Sequence, residues 1–255
     1  MSNLLYLNLY AFHQMEKNCI FYCYRKTRDI NNHITNKIEK VELVMFDMDG
    51  VLTDIVSSWK YIHDYFNTSN ERSVDDYLKG KIDDMEFIRR DASLWKENGK
   101  PIKKDKLVKI LSDVPLMKGA KECINYLSKN NIKTAIVSAG LDILANRVAK
   151  DLGIDYVLAN GIKTDKDGYL NGKGILGVKL MYKDLAVKSF AKKNNIHLDR
   201  IISVGNSCFD IPMFEITGLS IAFNPGDECT KKAADILVES KDLSEIISFI
   251  QDYIK

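Results

Sequence analysis

The chain has 255 residues, 45% of them hydrophobic and 28% charged, with a formal net charge of +2. That length suits one large domain or a core with a smaller insertion, and the composition is ordinary for a globular protein. Near-neutrality excludes the basic footprint of a nucleic-acid or anionic-membrane binder, and Lys103-Lys104 and Lys192-Lys193 read as solvated helix faces.

Residues 1–40 differ in character from the rest of the chain. Leu4–Leu7 and Ile20–Tyr24 are short apolar patches, with Gln14, Glu16, Lys17 and Asn18 between them. Neither reaches the roughly 18 apolar residues of a membrane span, and no basic segment precedes a secretory-type apolar run. A poorly ordered N-terminal extension is expected here. The cysteines (Cys19, Cys23, Cys123, Cys208 and Cys229) have no zinc spacing and fit reduced thiols in a cytoplasmic protein.

The next segment is the most informative. Leu43–Phe46 is a continuous apolar run, the pattern of a strand buried in a parallel sheet. It ends in Asp47-Met48-Asp49-Gly50-Val51-Leu52-Thr53. Carboxylates two residues apart project to the same side of a strand. Both should emerge at the carboxyl edge of an open α/β sheet, where such folds place ligands. A calcium loop would need oxygen ligands where Met48, Val51 and Leu52 stand. A catalytic pair that serves a metal, a phosphate or both is the better reading.

From Ile55 to about Pro115 only helix-like segments follow, at Trp59–Phe66, Val74–Leu78, Asp84–Trp95 and Lys106–Leu111. They predict a helical cap over residues 55–115, inserted into a core of residues 41–54 and 116–255. Strand-like runs then recur at Thr134–Val137, Tyr156–Ala159, Ile201–Val204, Leu219–Phe223 and Ile236–Val238. Helical patterns alternate with them at Gly119–Asn130, Leu141–Leu152, Leu180–Asn195 and Ile211–Ile216. The alternation predicts an α/β fold, a doubly wound parallel sheet with a Rossmann-like core. Asp167-Gly168 marks a hairpin turn within Ile162–Leu176, and Leu243–Ile254 reads as one closing amphipathic helix.

Three further features fall at strand ends or on adjoining helices. Ser138-Ala139-Gly140 offers a hydroxyl and backbone N–H groups ahead of a helix, a place for a phosphate oxygen, although serine there also serves as a plain N-cap. Gly205–Asp210 supplies Asn206 and Asp210 as candidate metal-side ligands, and Lys183 lies on the segment leading into that strand.

Taken together, these residues resemble the haloacid dehalogenase superfamily of phosphatases. The Asp47–Thr53 run is similar to its first motif, Ser138 to its second, Lys183 to its third and Gly205–Asp210 to its fourth. The small helical cap, the hairpin and the Asp242–Ile247 run resemble the phosphoserine phosphatase branch. The resemblance implies Mg²⁺-dependent hydrolysis of a small phosphorylated metabolite through an aspartyl-phosphate. It casts Asp47 as nucleophile, Asp49 as general acid and base, and Ser138, Ala139 and Lys183 as phosphate-binding groups. Asp47, the Asp49 carbonyl and the fourth motif, Asn206 and Asp210, would hold the metal.

The chain departs from this family in two places. The fourth motif ordinarily begins Gly-Asp, and here it is Gly205-Asn206, which leaves open a non-catalytic or regulatory binding protein on the same scaffold; a phosphotransferase also remains open. A glutamate expected nine residues after the nucleophile is Val56. The position of a cap arginine that would clamp a substrate carboxylate falls at Asp91, beside Arg89 and Arg90.

Overall fold

In the computed structural model, the described residues are 40–254, so all of the N-terminal extension except Lys40 lies outside them. Among the described residues there are nine strands: β1 (Leu43–Phe46), β2 (Lys96–Glu97), β3 (Lys100–Pro101), β4 (Lys133–Leu141), β5 (Tyr156–Thr164), β6 (Leu170–Ile175), β7 (Ile201–Gly205), β8 (Leu219–Phe223) and β9 (Ile236–Val238). Seven of them form one sheet in the order β6-β5-β4-β1-β7-β8-β9. All its pairings are parallel except that of β6 with β5. The doubly wound expectation holds.

The four residues of β1 are buried on both faces. Val44 and Phe46 join one apolar cluster with Ile124, Leu127, Leu144 and Val148, from α5 (Ala120–Lys129) and α6 (Asp142–Leu152). Leu43 and Met45 join the other, with Val187 and Ala191 of α7 (Lys183–Asn194) and Phe214 of α8 (Ile211–Phe214). Helices therefore cover both faces, as crossover connections between parallel strands require. Full burial of side chains of this size contributes about 1.5–3 kcal/mol each.

Between β1 and α5 the chain forms four helices: α1 (Ser58–Tyr65), α2 (Glu71–Leu78), α3 (Asp84–Leu94) and α4 (Lys104–Leu111). The N-caps Ser57 and Asp83 accept from Lys60 N and Glu86 N and so fix the starts of α1 and α3. The two ends of this insertion run side by side, with Asp54 N bonded to Pro115 O and Met117 N to Leu52 O. Its apolar residues Ile62, Ile88, Trp95, Leu107 and Leu111 belong to the same cluster as Val44 and Phe46. The insertion thus shares the core of one sheet face.

The structure differs from the sequence reading at two points. The insertion is not wholly helical: β2 and β3 make a small hairpin around Asn98-Gly99, both at positive φ, the signature of a two-residue type I′ turn. The closing helix is broken into a 3₁₀ turn at Leu243–Ile246, α10 (Ile247–Ile250) and a second 3₁₀ turn at Gln251–Tyr253. Tertiary hydrogen bonds hold both ends, Leu243 N to Lys118 O and Val41 N to Tyr253 O. The remaining short helix, α9, spans Glu228–Ala233. Among the described residues Cys123 and Cys208 are free thiols. Among the described residues no helix is long and apolar enough to cross a membrane.

Candidate active site

The sheet register assembles the site. Phe46 of β1 is level with Ile136 of β4 and Val204 of β7. Asp47 therefore leaves the sheet one residue later, beside Ser138 and Asn206, each two residues past its strand partner. Three loops converge on one point of the carboxyl edge.

Asp47 is buried, with its backbone N–H bonded to Val204 O. Its Oδ1 accepts from Met48 N at 2.8 Å and meets Lys183 Nζ at 2.9 Å. No described residue donates to its Oδ2. Asp49 lies on the following turn, and its Oδ2 accepts from both Ser58 N and Ser58 Oγ at 2.8 Å. Its Oδ1 is buried without a partner.

Lys183 is the first residue of α7, and its ammonium is 2% exposed between two carboxylates. Nζ lies 2.6 Å from Asp210 Oδ1 and 2.9 Å from Asp47 Oδ1. Asp210 is 0% exposed, and its Oδ2 accepts from Asn206 N, Ser207 N and Ser207 Oγ. It thus ties the 206–210 turn to Lys183. Gly50, at φ +80°, faces the Asn206 amide so closely that an added Cβ would collide with it. Only glycine suits that position. The first and fourth motifs meet there.

Three carboxylates, Asp47, Asp49 and Asp210, surround one ammonium. Burial raises the Asp47 pKa to about 7; Lys183 opposes that rise, while Asp210 and Asp49 add to it. Burial also raises Asp49, against the bonds from Ser58. Burial alone would discharge Lys183, but Asp210 and Asp47 outweigh it and its pKa is raised. The cluster is short of positive charge, and it holds one orphaned carboxylate oxygen. Both features fit a divalent cation bound near Asp47, Asp49 and Asn206. Among the described residues no three His, Cys, Asp or Glu side chains form a metal-holding group on their own, because Asn206 stands where a third acid would be needed.

Ser138 is buried within β4, where the pairing register shifts between Val137 and Leu141, and its Oγ accepts from Gly140 N at 3.1 Å. The Ala139 carbonyl is bonded to Trp59 Nε1 at 3.0 Å and to Asn160 Nδ2 at 3.1 Å. Sequence reasoning missed Ser58, Trp59 and Asn160. Ser58 and Trp59 carry no local signal beyond opening a helix. Asn160-Gly161 reads as a turn, yet β5 continues through it to Thr164.

The specificity positions do not join this cluster. Val56 is 70% exposed. Arg89 is paired with Glu86, and Arg90 with both Glu86 and Asp76. Asp91 is buried inside the insertion, with Oδ2 accepting from Asn70 Nδ2 at 2.7 Å and lying 3.3 Å from His63 Nε2. All these polar partners lie within the insertion. No free guanidinium is left in the Arg89-Arg90 pair.

Comparisons with known proteins agree with the geometry. Residues 44–215 match the family model for haloacid dehalogenase-like hydrolases. The phosphoserine phosphatase of Methanocaldococcus jannaschii is 31% identical over 216 residues, covering 84% of this chain and 99% of that one. A solved structure described as a phospho-aspartyl intermediate analogue of phosphoserine phosphatase superposes with a TM-score of 0.68 at 31% identity, covering 82% of this chain and 99% of that one. A substrate-bound phosphoserine phosphatase complex gives a TM-score of 0.67 at 30% identity, over 82% and 98%. The chain belongs to the haloacid dehalogenase-like hydrolase family, in its phosphoserine phosphatase-like branch.

Proposed function

We propose that this enzyme hydrolyses a small phosphomonoester in two displacements at Asp47, in a Mg²⁺-containing cleft capped by the helical insertion. One observation carries the reading: Asp47 presents an undonated Oδ2 beside Asp49, whose Oδ1 is buried and unpartnered. In the first step Asp47 Oδ2 bonds to phosphorus as the ester P–O bond breaks, and Asp49 gives its proton to the leaving oxygen. Burial raises the Asp49 pKa, a shift in the direction that favours its protonated form. In the second step water attacks phosphorus and passes a proton to Asp49, the Asp47–phosphorus bond breaks, and inorganic phosphate leaves.

Lys183 and the Ser138 hydroxyl would hold the non-bridging oxygens, where charge develops. Asp47, the Asp49 backbone carbonyl and Asn206 would hold the cation, which when bound supplies positive charge to the carboxylates and the phosphoryl group. Asp210 takes a different role from that of a ligand. Sealed from the cleft, it fixes Lys183 and the Asn206–Ser207 turn. The phosphoserine phosphatases among the relatives make phosphoserine the first substrate to test, within a panel of small phosphorylated metabolites. Val56 and the paired Arg89 and Arg90 argue for a different grip on the substrate's organic part.

Beryllofluoride should load Asp47 alone, and Asp47→Asn should reduce turnover of an aryl phosphate to background. Wild-type rates in Asp47→Asn would sink the mechanism. A wild-type protein that turns over nothing in the panel and shows no calorimetric Mg²⁺ binding would instead be the non-catalytic binding protein that Asn206 suggests.

A further inference from the structure

Asn160, within β5, is 3% exposed. Its Nδ2 donates to Ala139 O at 3.1 Å and Val178 O at 2.8 Å, and its Oδ1 accepts from Gly177 N at 2.8 Å and Val178 N at 2.9 Å. A primary amide has two N–H donors and two acceptor lone pairs, so these bonds use all of it. Nothing remains for substrate or water. What it joins are two separate segments, one carrying Ser138 and the other running into Lys183.

We propose that Asn160 is the positioning residue that sets Ser138 and Lys183 against the same phosphoryl group, an inference that rests on the phosphatase reading of the site. On one side it acts through the Ala139–Gly140 peptide. With the Ala139 carbonyl held by Asn160 and Trp59, a planar trans peptide points the Gly140 N–H the opposite way. That N–H donates to Ser138 Oγ. With a lone pair so engaged, the Ser138 hydroxyl turns its own proton elsewhere, toward an acceptor in the cleft.

On the other side Asn160 clamps Gly177 and Val178 against β5. An added Cβ on Gly177 would run into the Ala159 carbonyl, so the segment lies directly on the strand backbone. Val178 is buried, Leu180 N is bonded to Asp84 Oδ1, and α7 begins at Lys183. The start of the lysine helix is therefore held at two points, and one of them is the same amide that orients Ser138.

Asn160→Asp is nearly isosteric. It keeps the acceptor for Gly177 and Val178 but turns an oxygen toward the two carbonyls. In the full-length protein we expect kcat for an aryl phosphate to fall on the order of 10²-fold, the loss expected from misplacement by about 1 Å. Calorimetric affinity for inorganic phosphate should fall with it, while circular dichroism at the assay temperature stays that of the folded protein. A merely structural residue would lower the unfolding temperature and leave both readouts intact. A folded Asn160→Asp with kcat and phosphate affinity within about twofold of wild type overturns the proposal.

If that variant does not fold, Trp59→Phe removes the other donor to the same carbonyl without touching β5. It should lower kcat and phosphate affinity together, and unchanged values again overturn the proposal. Phosphate affinity separates the two readings. A wild type that hydrolyses nothing sinks the proposed function, whereas positioning is still decided by phosphate binding in the variants.

Discussion

Lys183 and Asp91 are both 2% exposed, yet the clusters around them differ in kind. At the sheet edge, one ammonium pairs with two carboxylates, Asp47 and Asp210, with a third, Asp49, close enough to feel its charge. Inside the insertion, one carboxylate meets the neutral Asn70 amide and the His63 ring, beside Trp95. The first cluster cannot balance its own charge and so invites a cation and a phosphoryl group. The second gathers a single carboxylate, although Asp91 Oδ1 and His63 Nε2 are also buried without hydrogen-bond partners. A surplus of like charge, rather than an orphaned polar atom alone, marks the functional site.

Removing the shared ammonium should break the first cluster most severely. In Lys183→Met, Asp47 and Asp210 would face each other uncompensated. We expect turnover to fall to background and stability to drop by roughly 3–5 kcal/mol at neutral pH. The pH dependence has a definite sign. A carboxyl whose folded pKa lies above its ordinary 3.8, as that of Asp47 does at about 7, favours the fold below 3.8 and loses that advantage as pH rises through the folded value. Loss of Lys183 pushes the folded value higher still. Denaturant unfolding should show a smaller deficit at pH 5 than at pH 7.5, and an equal deficit at both would mean that the carboxylates are not what suffers.

The charge deficit also predicts the effect of Asn206→Asp. At about 4 Å and an effective dielectric near 20, each unit-charge pair is worth about 4 kcal/mol before desolvation, which takes back much of it. Roughly tenfold tighter Mg²⁺ binding should survive, read by calorimetry and by the Mg²⁺ concentration for half-maximal activity. A change in substrate preference with an unmoved Mg²⁺ requirement would show that Asn206 contacts substrate instead.

The two clusters are not equally legible in the sequence. Asp47, Asp49 and Asn206 follow strand ends, Ser138 lies two residues past the last β4 residue level with β1, and a period of two with parallel pairing determines where such residues point. The identity of Lys183's partners is not legible, since that depends on how α7 starts. In the insertion, helix register decides everything. Arg89, Arg90 and Asp91 are consecutive, so a shift of one residue exchanges the buried side chain for an exposed one. Asn70 and His63 reach Asp91 from elements 21 and 28 residues away, and no local pattern announces such contacts. The hairpin at Asn98-Gly99 is legible in its turn residues, but its two-residue strands are too short to stand out among the helical patterns on either side.

If the inner cluster is structural, Asp91→Ala should cost stability and not catalysis. It would leave the Asn70 amide without its acceptor and His63 without the carboxylate beside it, at about 1–3 kcal/mol. For a chain of this size that lowers the unfolding temperature by several degrees, at about 2–4 °C per kcal/mol. The kcat of the folded enzyme should match wild type. A fall in kcat with an unmoved unfolding temperature would place Asp91 in the substrate's path.

The smallest effect is expected at Arg90, and it bears directly on substrate choice. Arg90 bridges Glu86 and Asp76 at 2.9 and 2.8 Å on a partly exposed surface, and the bonds it donates to Asp76 and Glu86 raise its pKa. Such pairs contribute about 0–1 kcal/mol, and a guanidinium with two carboxylate partners has little reason to leave them for a third. Arg90→Ala should therefore change stability by less than about 1 kcal/mol and leave KM for phosphoserine unmoved. The contrary result would be the more instructive one. A rise in KM for phosphoserine, with KM for an aryl phosphate lacking a carboxylate unchanged, would mean that Arg90 trades its surface pair for the substrate when the insertion closes. Departure of Arg90 would then leave Asp76 and Glu86 with Lys81 and Arg89 as their remaining cations. Specificity would reside in a rearrangement of that network.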